Sequence, residues 1–116
     1  MLAALVSLVL AVSSPATLTI TVWPNGPKGK AHTTTLTCEP TGGTLVGRAN
    51  ACARLAALPR DPFAPPPAGV FCTQIYGGPE TALVRGTFRG RLEYARFSRT
   101  DGCTIARWNR VAFLFR

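Results

Sequence analysis

Four cysteines, Cys38, Cys52, Cys72 and Cys103, in a chain of 116 residues constrain its fold more than any other feature. An even count in a short chain reads as two disulfides in an oxidising compartment, where small domains use such bridges to supplement a modest core. It does not read as a zinc site, because no C-x-x-C occurs and His32 is the only histidine. Four cysteines allow three pairings, and their spacing alone does not choose among them. The length suits one domain, and a hydrophobic content of 47% excludes disorder of the whole chain.

The N-terminus speaks to the compartment. Residues 1–12, MLAALVSLVLAV, are an apolar run followed by Ser13-Ser14-Pro15-Ala16. The run is too short to cross a bilayer as a helix and fits the apolar region of an export signal, although the basic residues that usually precede one are missing. Residues 1–13 are therefore expected to be a signal peptide, truncated or begun from an upstream initiator, and 14–116 a single secreted, extracellular domain. The competing reading is a buried first strand or helix. No other stretch is long and apolar enough for a transmembrane helix, so no membrane association is expected of the mature form.

Residues 16–23, ATLTITVW, alternate threonine with apolar side chains. Thr17, Thr19 and Thr21 face one way and Leu18, Ile20 and Val22 the other, the period of a half-buried strand. Pro24-Asn25-Gly26-Pro27 ends it. TTTLTC (33–38) reads as a second strand, followed by a turn from Pro40 to Gly43. ANACARLAAL (49–58) reads as a helix rich in strong helix formers, with Asn50 as its cap, Cys52, Leu55 and Ala56 on one side, and Pro59 as its stop. DPFAPPP (61–67) reads as a stiff, extended connection. Residues 82–90 and 91–98 read as strands joined by a turn at Arg89-Gly90-Arg91. Thr100-Asp101-Gly102 reads as a turn, Arg107-Trp108-Asn109 as a loop, and VAFLF (111–115) as a buried closing strand. The result is about five strands and one clear helix, an antiparallel α+β domain.

The charge is lopsided, 13 Lys+Arg against 5 Asp+Glu, a net of +8. Only Lys28 and Lys30 are lysines; the remaining cations are arginines scattered singly, which favours a solvated surface over a nucleic-acid-binding face. Catalysis is poorly supported. His32 sits in a polar loop, the carboxylates Glu39, Asp61, Glu80, Glu93 and Asp101 form no pair at a spacing that implies a shared site, and the Gly-Gly pairs only punctuate turns. The chain is not expected to be an enzyme, nor to need a cofactor or metal.

Three stretches together resemble the Streptomyces subtilisin inhibitor family of secreted serine-protease inhibitors. The first is Cys38-Glu39-Pro40, a turn ending at Gly43, and Ala51-Cys52-Ala53-Arg54-Leu55, which matches the family's Cys-x-Pro, Gly and Ala-Cys-x-x-Leu; Leu45-Val46 stands where the family usually has His-Pro. The second is Cys72-Thr73-Gln74-Ile75-Tyr76. The third is Phe97-Ser98 before Cys103, with an aromatic-rich ending. The resemblance spans about residues 15–115. It implies a five-stranded antiparallel β-sheet with two short helices, the pairings Cys38–Cys52 and Cys72–Cys103, and a homodimer formed through the sheet. It also implies a reactive-site bond at Gln74–Ile75, with Phe71, Cys72, Thr73, Tyr76 and Gly77 in the protease-contact loop and subtilisin-like serine proteases as partners. Two other readings remain at this point: a secreted cationic protein that grips an anionic polymer, and a transglutaminase substrate using Gln74, the only glutamine.

Overall fold

A computed structural model describes residues 13–116; the apolar run on which the export reading rests lies outside the described residues. The elements follow the order β1 (Ala16–Trp23), β2 (His32–Cys38), β3 (Gly42–Gly43), α1 (Arg48–Ala57), β4 (Thr81–Phe88), β5 (Arg91–Phe97), α2 (Gly102–Arg110) and a closing 3₁₀ turn (Ala112–Leu114). The strands form one antiparallel sheet in the order β3-β2-β1-β4-β5. Both inferred disulfides are present, Cys38–Cys52 and Cys72–Cys103.

Alternation in β1 sets the layers. Leu18, Ile20 and Val22 are buried and meet Leu36 of β2, Val84 and Phe88 of β4, and Ala95 and Phe97 of β5 on one side of the sheet. Ala51 and Leu55 of α1, Trp108 of α2, and Val111, Phe113 and Leu114 close over that face. Burial of each large apolar side chain contributes about 1.5–3 kcal/mol. The outer face carries a threonine ladder in which Thr17, Thr19 and Thr21 oppose Thr37, Thr35 and Thr33. Gly86 permits the close approach of β4 to β1: its φ is 138°, and a Cβ there would lie 1.9 Å from the Thr17 carbonyl oxygen.

The β4–β5 hairpin turns on Arg89 and Gly90, both with positive φ (51° and 78°), the backbone of a tight two-residue hairpin. Arginine is an unusual choice there, and its side chain explains it. Nη2 donates to the Leu55 and Leu58 carbonyls at 3.3 and 3.0 Å, Nε donates to Ser14 Oγ at 3.0 Å, and the guanidinium lies 4.7 Å from the Phe88 ring centre. The hairpin thus helps cap the C-terminal end of α1, adding a donor to the Leu55 carbonyl, which also accepts from the Leu58 N–H, and one to the Leu58 carbonyl.

Four sequence expectations need correction. The cap of α1 is Gly47 (φ 73°), and Asn50 lies inside the helix. Ala51, one turn before Leu55, is the buried alanine, whereas Ala56 is exposed. Arg107-Trp108-Asn109 are helical, because Asp101 and Thr104 form a reciprocal capping box that starts α2 where only a turn was expected. Residues 111–115 are not a strand: Val111, Phe113 and Leu114 are all buried, a pattern that breaks the alternation a strand requires. The fifth strand is instead the two-residue β3, paired with Leu36 and Thr37. Among the described residues, no helix is long and apolar enough to cross a membrane.

Candidate protease-contact loop

Between the proline-rich stretch and β4, residues 70–79 carry no regular secondary structure. They also break the usual rule of burial. Phe71 is 102% exposed, and Val70, Ile75 and Tyr76 are exposed as well. Apolar side chains gathered on one exposed segment mark a surface that meets a partner.

The segment is nonetheless held, by a disulfide and by hydrogen bonds to its backbone. Cys72 is bonded to Cys103 on the first turn of α2. The Thr73 carbonyl accepts from the Gly102 N–H at 2.8 Å. The Gly77 N–H donates to the Arg99 carbonyl at 2.7 Å, and Arg99 Nε donates back to the Gly77 carbonyl at 3.3 Å. Gln74, Ile75 and Tyr76 thus bridge two anchored residues, Thr73 and Gly77. Among the described residues the three make no hydrogen bond, and all are exposed, so their backbone donors and acceptors are left unspent.

The pedestal is α2 with the residues before it. The Asp101 carboxylate accepts from the Thr104 N–H at 2.9 Å and fixes the start of the helix. A Cβ at Gly102 would fall 2.0 Å from Thr73 Oγ1, so glycine there lets the helix start approach the loop without displacing the Thr73 side chain. Arg99 also reaches Asn109 Oδ1 at 3.3 Å and lies 3.2 Å from Glu80 Oε2. The Arg99–Glu80 pair is held by proximity, since the Nε–H itself is directed at the Gly77 carbonyl.

The proline-rich approach to the loop is tied down separately. Arg107 donates to the Phe63 and Ala64 carbonyls, both at 3.1 Å, and to the Arg96 carbonyl, with its guanidinium 4.1 Å from the Phe97 ring centre. Phe63 packs edge-on against Phe88 at 5.4 Å. Beneath this stretch Asp61 faces Glu93 of β5. Burial, then the hydrogen bond to Asp61 and repulsion by it, push the Glu93 carboxyl up to about 7, with Arg91 opposing. The folded chain therefore keeps a proton that the unfolded chain releases near 4.5. The stabilisation is complete below that value and is lost as pH rises through about 7. The melting temperature should fall between pH 5 and pH 8, and Glu93→Gln, which still offers Asp61 a donor, should flatten that fall. Parallel pH curves for the two chains would contradict the assignment.

Cys72, Cys103 and Asp101 place their ligand-type atoms within 4.8 Å of one another, but both sulfurs are spent in the disulfide and offer no thiolate to a metal. His32 is exposed at the start of β2 and makes no side-chain hydrogen bond among the described residues. Of the residues singled out from the sequence, Phe71 through Gly77 lie together on this one loop, while Cys38 and Cys52 fasten β2 to α1 elsewhere. Arg99 and Gly102, which anchor the loop from below, were not anticipated; the Asp101-x-x-Thr104 capping pattern was the available signal for the helix that presents Gly102.

A family model described as subtilisin inhibitor-like matches residues 7–100. No curated protein matches the chain.

Proposed function

The chain belongs to the subtilisin inhibitor-like family, and on that footing we propose that it is a substrate-like, tight-binding inhibitor of subtilisin-like serine proteases whose reactive bond is Gln74–Ile75. The observation that carries this reading is the exposed three-residue span, free in its own hydrogen bonds yet fixed at Thr73 and Gly77. Such a segment pairs with the edge of a protease cleft as an added strand, so backbone hydrogen bonds supply affinity. Its ordering cost has been met in folding, which leaves more of the contact energy as affinity.

Gln74 enters the primary specificity pocket, and Phe71 fills an apolar subsite three residues earlier. Attack by the protease serine on the Gln74 carbonyl would release the Ile75 amine. That amine stays tethered through Gly77 to Arg99, beside the acyl-enzyme, and resealing of the bond outruns escape. The chain is secreted after removal of residues 1–13. Two copies join through the outer face of the sheet, a reading supported by Leu92 and Tyr94, which stand 88% and 63% exposed there.

The test is titration of subtilisin at nanomolar concentration. Activity should fall in proportion to added protein and vanish near one chain per active site. Unimpaired proteolysis at large molar excess, or rapid digestion of the chain, would refute the proposal.

A further inference from the structure

A groove of about 350 Å³ opens on the N-terminal side of the loop, between α2 and the proline-rich stretch. Arg60, Arg107 and Arg110 line it together with Asp61, and its wall continues into Val70 and the Cys72–Cys103 bridge. The chain has 5 acidic residues, and each is engaged away from these arginines or with another acid. Glu39 accepts from Ser13 and Ser14, Glu80 lies against Arg99, Asp101 caps α2, and Asp61 and Glu93 face each other. The Arg99–Glu80 contact is the only ion pair among the described residues. Three guanidinium groups therefore share one groove with a single carboxylate, Asp61, to offset them.

Arg107 is a fixed charge, since its three hydrogen bonds go to neutral carbonyls. Burial and the adjacent Arg110 charge both pull its pKa down, and the Asp61 carboxylate offsets them only in part. Arg60 and Arg110 are exposed at the rim and make no side-chain hydrogen bond among the described residues.

We infer that this groove receives an acidic side chain on the rim of the target protease's cleft, beside the subsites that bind Phe71 and Cys72. The inference rests on the inhibitor reading above. It follows from position as well as charge: the groove shares Val70 and Cys72 with the loop, so a protease seated on residues 71–76 lies over it. Charges at such a rim act mainly on the association rate and its salt dependence, and little on the lifetime of the complex. A polyanion would be drawn by the same charge, but the shared wall with the loop favours the protease.

The experiment compares wild type with Arg60→Ala/Arg110→Ala against subtilisin by stopped flow, at about 20 mM and about 500 mM NaCl. Arg107 is left intact because it holds the backbone. The wild-type association rate should fall with salt. The double variant should associate about three- to tenfold more slowly at low salt, respond little to salt, and dissociate at the wild-type rate. Arg60→Glu/Arg110→Glu, which reverses both charges, should be slower still. Identical association rates and salt responses on an inhibited protease would overturn this inference alone. So would unchanged kinetics coupled with lost retention on heparin, which would assign the groove to a polyanion. Failure of both chains to inhibit at all would remove the inhibitor reading and this inference with it.

Discussion

Replacing Cys72 and Cys103 together by serine is expected to weaken inhibition of subtilisin by about 10²–10⁴-fold. The bridge spans 31 residues and fastens the N-terminal side of the contact loop to the first turn of α2. Its loss should destabilise the fold by about 2–5 kcal/mol. The larger consequence is local. If residues 71–73 regain backbone freedom, binding must order them again at about 1–2 kcal/mol each, a total of roughly 3–6 kcal/mol, and each 1.4 kcal/mol is a factor of ten in affinity. The control is Cys38→Ser/Cys52→Ser, which opens the 14-residue bridge between β2 and α1. That chain should lose comparable stability yet inhibit with nearly wild-type affinity while it remains folded. Inhibition constants and thermal melts of both variants check this; equal loss of inhibition from the two bridges would mean that Cys72–Cys103 has no special role in the loop.

The chain is expected to inhibit trypsin weakly, and Gln74→Lys to confer strong trypsin inhibition. An uncharged glutamine leaves the carboxylate at the base of a trypsin-like pocket without a partner, and a hydrogen bond to a charged group is worth about 1.5–3 kcal/mol, so lysine should improve the constant by about ten- to a hundredfold or more. Activity on subtilisin should largely persist, because the free backbone of Gln74, Ile75 and Tyr76 is unchanged. Ile75→Pro should abolish inhibition of both enzymes, since proline fixes φ and removes the N–H beside the bond under attack. Inhibition constants against both proteases decide the matter, and a Gln74→Lys chain still inert toward trypsin would mean that another residue occupies the pocket.

The parts of the fold that were legible are those whose signal is local. Alternation marked β1, the threonine-rich run 33–38 marked β2, and Arg89-Gly90-Arg91 marked the β4–β5 hairpin. The two-residue β3 was hidden because Gly42 and Gly43 have no side chains to alternate, and they read only as a turn. The end of the chain misled for the opposite reason: VAFLF has a strand-like composition, yet the sheet does not extend to it, and its apolar residues close the core as a short 3₁₀ turn. The disulfide pairing came from resemblance, because spacing left three pairings open. The proposed contact loop is contiguous, so its residues were read from the sequence as one stretch. Its supports could not: Arg99 lies 22 residues from Gly77, and Arg107 is 44 residues from Phe63. Such contacts exist only once the sheet and α2 have formed.

The central claim is that Gln74–Ile75 is the bond offered to the protease. Its most direct test is prolonged incubation of the intact chain with a catalytic amount of subtilisin at mildly acidic pH, followed by N-terminal sequencing of the modified inhibitor. A single new terminus beginning at Ile75, on a chain still joined through Cys72–Cys103 and still inhibitory, is the predicted result. A new terminus at any other residue, or cleavage that releases active protease at once, would contradict it.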